Sequence, residues 1–333
     1  MPKRIFRIAG EPLLDLVSHG RGGSHGAVGR LTPAQVEQIR RTVRRVPEVV
    51  VKVLPRGSNS LKAAGKHLDY IGRYGDLELE TDDGERLQGR VGRALLEEWD
   101  LDIDDVRRQA DLAATGGREP PKLIHKLMFS MPAATPPAKV LAAVRNFARE
   151  EFALQHRYAL VLHTDEPHPH VHVVLKAFSE RGLRLNIQKA TLRRWRAEFA
   201  RHLRLLGVPA NATERAVRGE SRKARKDGIY RASVRGESTY VRAQVEAVAS
   251  ALLKGDILTD PGKRTIVETR RRVEQGWHSV ASQLANEGHY ELADVVRRFV
   301  STMAPPRTER EWVAHELRQQ RSDSRVRDQH PTR

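Results

Sequence analysis

Four of the chain's fourteen histidines and one aspartate fall within the ten residues His163-Thr-Asp165-Glu-Pro-His168-Pro-His170-Val-His172. Neutral imidazole is a ligand for borderline divalent metals, so the first question is whether these rings can meet. Apolar, β-branched runs flank the cluster, Tyr158 to Leu162 before it and Val173 to Phe178 after it, and both read as strands. Residues two apart on a strand share a face, which aims His170 and His172 at one point. The turn from Asp165 through Pro169 folds the runs into a hairpin and lets His163 supply a third ring. Three imidazoles suit Mn, Co, Ni or Zn and leave coordination positions for a substrate oxygen. Asp165 reads as a partner that orients an imidazole or accepts a proton, or else as a turn residue. A merely solvated histidine-rich turn is the alternative, and the two apolar strands around it argue against that.

The 333-residue chain carries a formal net charge of +17, which points to a polyanionic partner. Nucleic acid is favoured over a membrane surface, because no run of about 18 apolar residues and no basic amphipathic anchor is present. The N-terminus has no apolar signal core, and membrane insertion is not expected. The absence of cysteine removes thiolate ligands and fits a cytoplasmic location. A metal site in a basic protein suggests work on phosphate. The attacking group is then water or a side-chain hydroxyl. Tyr70, in Lys66-His-Leu-Asp-Tyr-Ile-Gly-Arg-Tyr-Gly75, is a hydroxyl near the end of a predicted helix. Taken alone, a helical tyrosine is more often a core residue. Tyr74, four residues on, would share its face if the helix continued. For phosphate contacts the candidates are Arg193, Arg194, Arg196, Arg201 and Arg204 on a basic helix, with Trp195 as a core anchor.

These residues need a frame. Residues 1–48 read as a basic, glycine-rich flexible arm with a possible helix from Thr32 to Arg45. Residues 49–210 read as one α+β domain, a central, mostly antiparallel sheet flanked by helices. Its predicted elements are a strand at 49–54, a helix from Ser58 to Arg73, a hairpin over 77–93, a helix over 93–113, and a strand at 122–130. A helix over 137–154, the histidine hairpin, a short strand at 183–187 and the basic helix from Lys189 follow. Residues 211–238 form a basic linker, 239–320 a helical C-terminal region, and 321–333 a charged tail with the composition of disorder.

Two stretches together, Leu68-Asp-Tyr-Ile-Gly-Arg-Tyr-Gly-Asp-Leu-Glu-Leu79 and His163 to His172, resemble conjugative relaxases. These are the mobilisation nucleases of the HUH superfamily, and the likeness is to the subclass that includes T-DNA border endonucleases. The resemblance implies a site- and strand-specific nicking-joining endonuclease, with Tyr70 as nucleophile and a 5′-phosphotyrosyl DNA intermediate. It also implies His163, His170 and His172 as metal ligands, Asp165 and His168 as accessory catalytic residues, and Ser130 as a DNA contact near the nick. The expected cofactor is a divalent ion, Mg or Mn foremost, with Zn, Co or Ni compatible. The expected substrate is single-stranded or melted DNA at a transfer origin, with accessory relaxosome proteins and a secretion coupling protein as possible partners. A water-using metal nuclease and a non-catalytic DNA-binding accessory protein are the alternatives.

Overall fold

The computed structural model describes residues 6–8, 11–13, 30–54, 60–116, 122–222, 227–255, 260 and 262–329. Two compact units divide the chain: one spans Arg44–Ala212, and the other joins Thr213 onward to residues before Arg44.

The first unit is built on a six-stranded antiparallel sheet. Its strands are β3 (Val50–Val53), β4 (Leu79–Thr81), β5 (Arg86–Leu87), β6 (Ile124–Ser130), β7 (Tyr158–His163) and β8 (His170–Lys176), in the order β3-β6-β8-β7-β4-β5. The hairpin β7–β8 is the centre, and side chains on it alternate between two faces. Leu160, Val171, Val173 and Leu175 face α5 (Pro137–Phe152) and α6 (Lys189–Leu205), joining Phe147, Trp195 and Phe199 in one core. Ala159, Val161 and Val174 face α2 (Leu61–Ile71), α3 (Gly92–Glu98) and α4 (Leu101–Thr115), with Leu68, Ile71 and Trp99. Each large side chain so buried contributes about 1.5–3 kcal/mol. Arg145, from α5, forms a bidentate ion pair with Glu80 of β4.

Helix α2 starts at Ser60, whose hydroxyl accepts from the amide of Ala63 at 3.3 Å and so caps the first turn. Ser58, expected to open the helix, lies outside the described residues. Helices α2 and α3 approach closely at Gly92: a Cβ there would sit 2.4 Å from the carbonyl oxygen of Gly65. Asp69 seals the contact by accepting from the amide of Gly92 at 2.9 Å.

Two expected elements differ. The helix predicted over 93–113 breaks at Asp100, which is left-handed at φ 53°. Trp99 and Leu101 are both buried, and on a straight helix they would point about 200° apart. The strand predicted at 183–187 reduces to a single bridge, Phe178 with Arg184.

In the second unit, a short hairpin of β1 (Phe6–Ile8) and β2 (Glu11–Leu13) precedes α1 (Pro33–Val43). Residues 33–43, grouped by composition with the flexible arm, are helical because Val36, Ile39 and Val43 form one apolar stripe. That stripe enters a core with Trp277, Val280, Leu284 and Phe299. The glycine-rich stretch from Gly20 to Gly26 lies outside the described residues. The remaining helices are α7 (Asp227–Val234), α8 (Thr239–Lys254), α9 (Lys263–Asn286), α10 (Tyr290–Ser301) and α11 (Glu309–Gln329). Backbone from the stretch read as linker also joins this unit, since the carbonyl of Val217 accepts from the indole of Trp277 at 2.8 Å. The last helix runs to Gln329, into the stretch expected to be disordered. Among the described residues no helix is long and apolar enough to cross a membrane.

Candidate metal centre and nucleophile

The register of the central hairpin assembles the triad. His163 stands opposite His170, and Val161 opposite His172, which puts all three imidazoles on the α2 face of the sheet. One ligand atom from each lies within 4.8 Å of the others. His163 and His172 have ring centroids 4.7 Å apart.

Backbone carbonyls fix two of the tautomers. The Nε2 of His163 lies 2.7 Å from the carbonyl oxygen of Ile71, at the end of α2. A carbonyl only accepts, so Nε2 carries the proton and Nδ1 keeps its lone pair. In His170 the roles reverse: Nδ1 donates to the carbonyl of His168 at 3.0 Å, leaving Nε2 free to ligate. The Nδ1 of His172 is buried without a hydrogen-bond partner. An unpaired ring nitrogen in a histidine cluster is costly unless an ion or solvent group completes it. The donor set therefore fits a divalent ion.

Burial favours the neutral form of His163 and His172, the form a metal requires. Desolvation first, then the neighbouring histidines, push His172 down to about 3. His163 is lowered by burial too, against the opposing effect of its hydrogen bond to the carbonyl of Ile71. His67, on α2, faces His172 edge-on at 6.5 Å and is pushed down to about 4, chiefly by burial.

 His125, at the other end of β6, is likewise pushed down to about 4 by burial. The sign of the pH effect follows. An unfolded chain takes up these protons near pH 6.5 while the folded one resists to about pH 4, so stability is full above 6.5 and falls below it. Each such histidine contributes up to about 1.4 kcal/mol per pH unit in that window. In chelator, the urea midpoint should therefore drop steadily from pH 6.5 to 4.5, and a flat midpoint would contradict this burial.

Tyr70 lies on the last turn of α2 and is exposed. Beyond it the chain makes a tight 3-10 turn, Arg73–Gly75, in which Arg73 and Tyr74 are both left-handed, at φ 51° and 57°. Two consecutive non-glycine residues in that region cost roughly 1–3 kcal/mol each. The turn is locked from both sides. A Cβ on Gly72 would meet Leu79 at 2.7 Å, and one on Gly75 would meet the Cα of Gly89 at 2.7 Å. The reversal separates the two tyrosines, which a continued helix would have kept on one face. The ring of Tyr74 takes the guanidinium of Arg90 at 5.3 Å, while Tyr70 takes that of Arg73 at 5.7 Å. Arg73 in turn forms an ion pair with Asp165, and its Nη2 lies 3.3 Å from the Nδ1 of His163. Tyr70 is thus linked through one side chain to the histidine edge.

The supporting residues take distinct positions. Burial opposes the charge of Asp165, but the bond to Arg73 and its positive charge hold the carboxyl below its ordinary value. The Nδ1 of His168 accepts from the amide of Ala133 at 2.9 Å, so that ring is anchored to the loop after β6, and its carbonyl is what touches the triad. Ser130 is buried, pairs with His170 across the sheet, and so shares the face of the histidines.

The arginines expected to hold phosphate are not brought to this edge. Helix α6 packs through Trp195, Phe199 and Leu203 against the opposite face of the sheet, so Arg193, Arg194, Arg196, Arg201 and Arg204 lie across it from the triad. Arg194 forms a bidentate pair with Glu151, Arg201 bonds Glu198 at 2.7 Å, and Arg204 donates to the carbonyl of Ala210 at 3.0 Å. The apolar spacing of α6 already marked the face it buries, but not which side of the sheet receives it. The register does place Lys52 and Lys126 on the histidine face, with Lys176 further along it, buried and donating to the carbonyl of Trp99. Lys52 is paired with Met128, itself opposite His172, and Lys126 is paired with Val174. Sequence reading passed over both, together with His67 and Arg73. The alternation of β3 and β6 was the available signal.

An antiparallel sheet thus carries three convergent imidazoles on its α2-covered face, with an exposed phenol near their edge. Residues 81–205 match the family described as relaxase, MobA/VirD2-like, nuclease domain. The match contains Ser130 and the whole histidine hairpin, while Tyr70 precedes it. The chain is also similar to the T-DNA border endonuclease VirD2 of Agrobacterium fabrum, at 25% identity over 63% of this chain and 49% of that protein. It is similar to the VirD2 proteins of Rhizobium radiobacter and Rhizobium rhizogenes, each at 28% identity over 52% of this chain and 43% and 42% of theirs. The chain spans about half the length of the curated relatives it matches.

Proposed function

We propose that this chain is a metal-dependent DNA relaxase that nicks one strand at a transfer origin for conjugative mobilisation. The observation that carries the reading is the link Tyr70–Arg73–His163, which ties an exposed phenol to the edge of the imidazole triad. In the reaction, the Oη of Tyr70 attacks the scissile phosphorus. A phosphorus–oxygen bond to tyrosine forms, the bond to the 3′ oxygen breaks, and the phenolic proton is lost as the 3′-hydroxyl gains one. The product is a 5′-phosphotyrosyl link and a free 3′-hydroxyl. Because one phosphodiester replaces another, the reverse attack rejoins the strand. A divalent ion, Mg or Mn foremost, held by His163, His170 and His172, would supply charge to the phosphate oxygens. Asp165 holds Arg73, and the carbonyl of His168 orients the ring of His170. Ser130, Lys52 and Lys126 give the DNA strand its contacts beside the triad, and accessory relaxosome proteins or a coupling protein would be its partners in the cytoplasm.

The test is a denaturation-resistant adduct. The protein is incubated with Mn and a random-sequence single-stranded DNA library, then boiled in detergent. A DNA-linked protein band, with the captured sequences enriched on a second round, is the expected result. Cleaved DNA carrying free 5′-phosphate and no protein would instead indicate water as the nucleophile.

A further inference from the structure

Arg73 touches three of the groups on which the proposed chemistry depends, and its position is dictated by an unfavourable backbone. Its guanidinium lies over the ring of Tyr70 at 5.7 Å, bonds the carboxylate of Asp165, and brings Nη2 to 3.3 Å from the Nδ1 of His163. No surface arginine needs such an arrangement. A φ of 51° is rare for arginine, and the neighbouring contacts of Gly72 and Gly75 hold the turn in place. Burial works against the charge, yet Asp165 and the hydroxyl of Tyr70 together raise the guanidinium above its ordinary value.

We propose that Arg73 is the positioning residue of this site, a fixed cation that holds Tyr70 at the histidine edge where the phosphate must dock. The inference rests on the reading of Tyr70 as nucleophile. Its physical content is twofold. The guanidinium limits the swing of an exposed phenol, which keeps the attacking oxygen close to its target. It also presents a fixed positive charge to the phenolate and the phosphate as negative charge develops. Asp165 then acts through Arg73, since an ionised carboxylate already bonded to a guanidinium is a poor proton acceptor and a good anchor.

The left-handed backbone provides a clean test, because glycine is at ease at φ 51°. Arg73→Gly removes the side chain while relieving the turn, so it should fold with a thermal midpoint no lower than wild type. Manganese affinity, read by calorimetry, should hold or rise, as Arg73 supplies no ligand and its Nη2 stands 3.3 Å from the Nδ1 that His163 would offer the metal. The single-turnover rate of adduct formation on the captured oligonucleotide should fall by about 10²–10³-fold. The oligonucleotide concentration for half-maximal rate should change much less, and methylguanidinium should restore part of the rate. Arg73→Lys keeps the charge without the planar fork and should fall between the two. A folded Arg73→Gly protein that forms adduct within threefold of wild type would overturn the proposal, as would a rate loss matched by an equal loss of DNA affinity. Tyr70→Phe, run alongside, separates the two readings: if it still forms adduct, the nucleophile assignment fails, and if it is inactive while Arg73→Gly is not, the role of Arg73 alone fails.

Discussion

Replacing Tyr70 by phenylalanine should abolish the DNA adduct, while replacing Tyr74 should leave it intact. The substitution removes one oxygen and keeps the ring, so the contact with Arg73 and the fold of α2 should survive. What is lost is the atom that would bond to phosphorus, and without it no covalent intermediate can form. A fall of at least about 10³-fold in strand cleavage is expected, in line with the loss of a nucleophile that acts as a unit with its activating groups. Tyr74 is the control because the turn at Arg73–Gly75 sends it towards Arg90. Tyr74→Phe should retain activity within about threefold. Adduct formation that persisted in Tyr70→Phe and vanished in Tyr74→Phe would exchange the roles of the two residues. Denaturing gels with end-labelled oligonucleotide, followed by mass spectrometry of the tryptic DNA-peptide, read the result directly.

The second large effect concerns the metal. His172→Ala removes one of three imidazoles, and manganese affinity should fall by roughly 10²-fold or more, since even residues that only support a ligand cost 10–100-fold. The same change should be mild for the metal-free protein. It leaves a cavity, but it also deletes a buried ring nitrogen that has no hydrogen-bond partner, and that unpaired group costs about 1–3 kcal/mol. The two effects oppose each other. Thermal midpoints in chelator should therefore be similar, whereas manganese at 100 times its Kd should stabilise the wild type by about 2.7 kcal/mol and the variant hardly at all. Equal stabilisation of both proteins by manganese would remove His172 from the ligand set.

Much of this site is visible in the chain itself because its geometry is local. The period of two on β8 aligns His170 with His172, and a hairpin of fixed register brings His163 opposite. Strand β6, helix α5 and helix α6 follow from apolar periodicity in the same way. The break at Asp100 is not local: it arises because Trp99 and Leu101 both find buried places, and a pattern of apolar residues does not say where each will pack. Helix α1 is a similar case, since Val36, Ile39 and Val43 needed the distant Trp277 and Phe299 to give their stripe a core.

By itself, then, the sequence determined the convergence of three histidines on one hairpin, the α+β architecture with its antiparallel sheet, and the presence of a tyrosine helix before it. Those features are set by side-chain period, turn residues and ligand chemistry, all of which act between near neighbours. Only the tertiary structure decided which face of the sheet each helix covers. That choice carried the arginines of α6 away from the triad and left Lys52 and Lys126 beside it. It also decided the left-handed turn that separates Tyr70 from Tyr74 and directs Arg73 to Asp165 and His163. The reason is physical: a strained backbone and a long flexible side chain take their positions from packing against Leu79, Gly89 and the histidine strands, and such contacts join residues far apart in the chain.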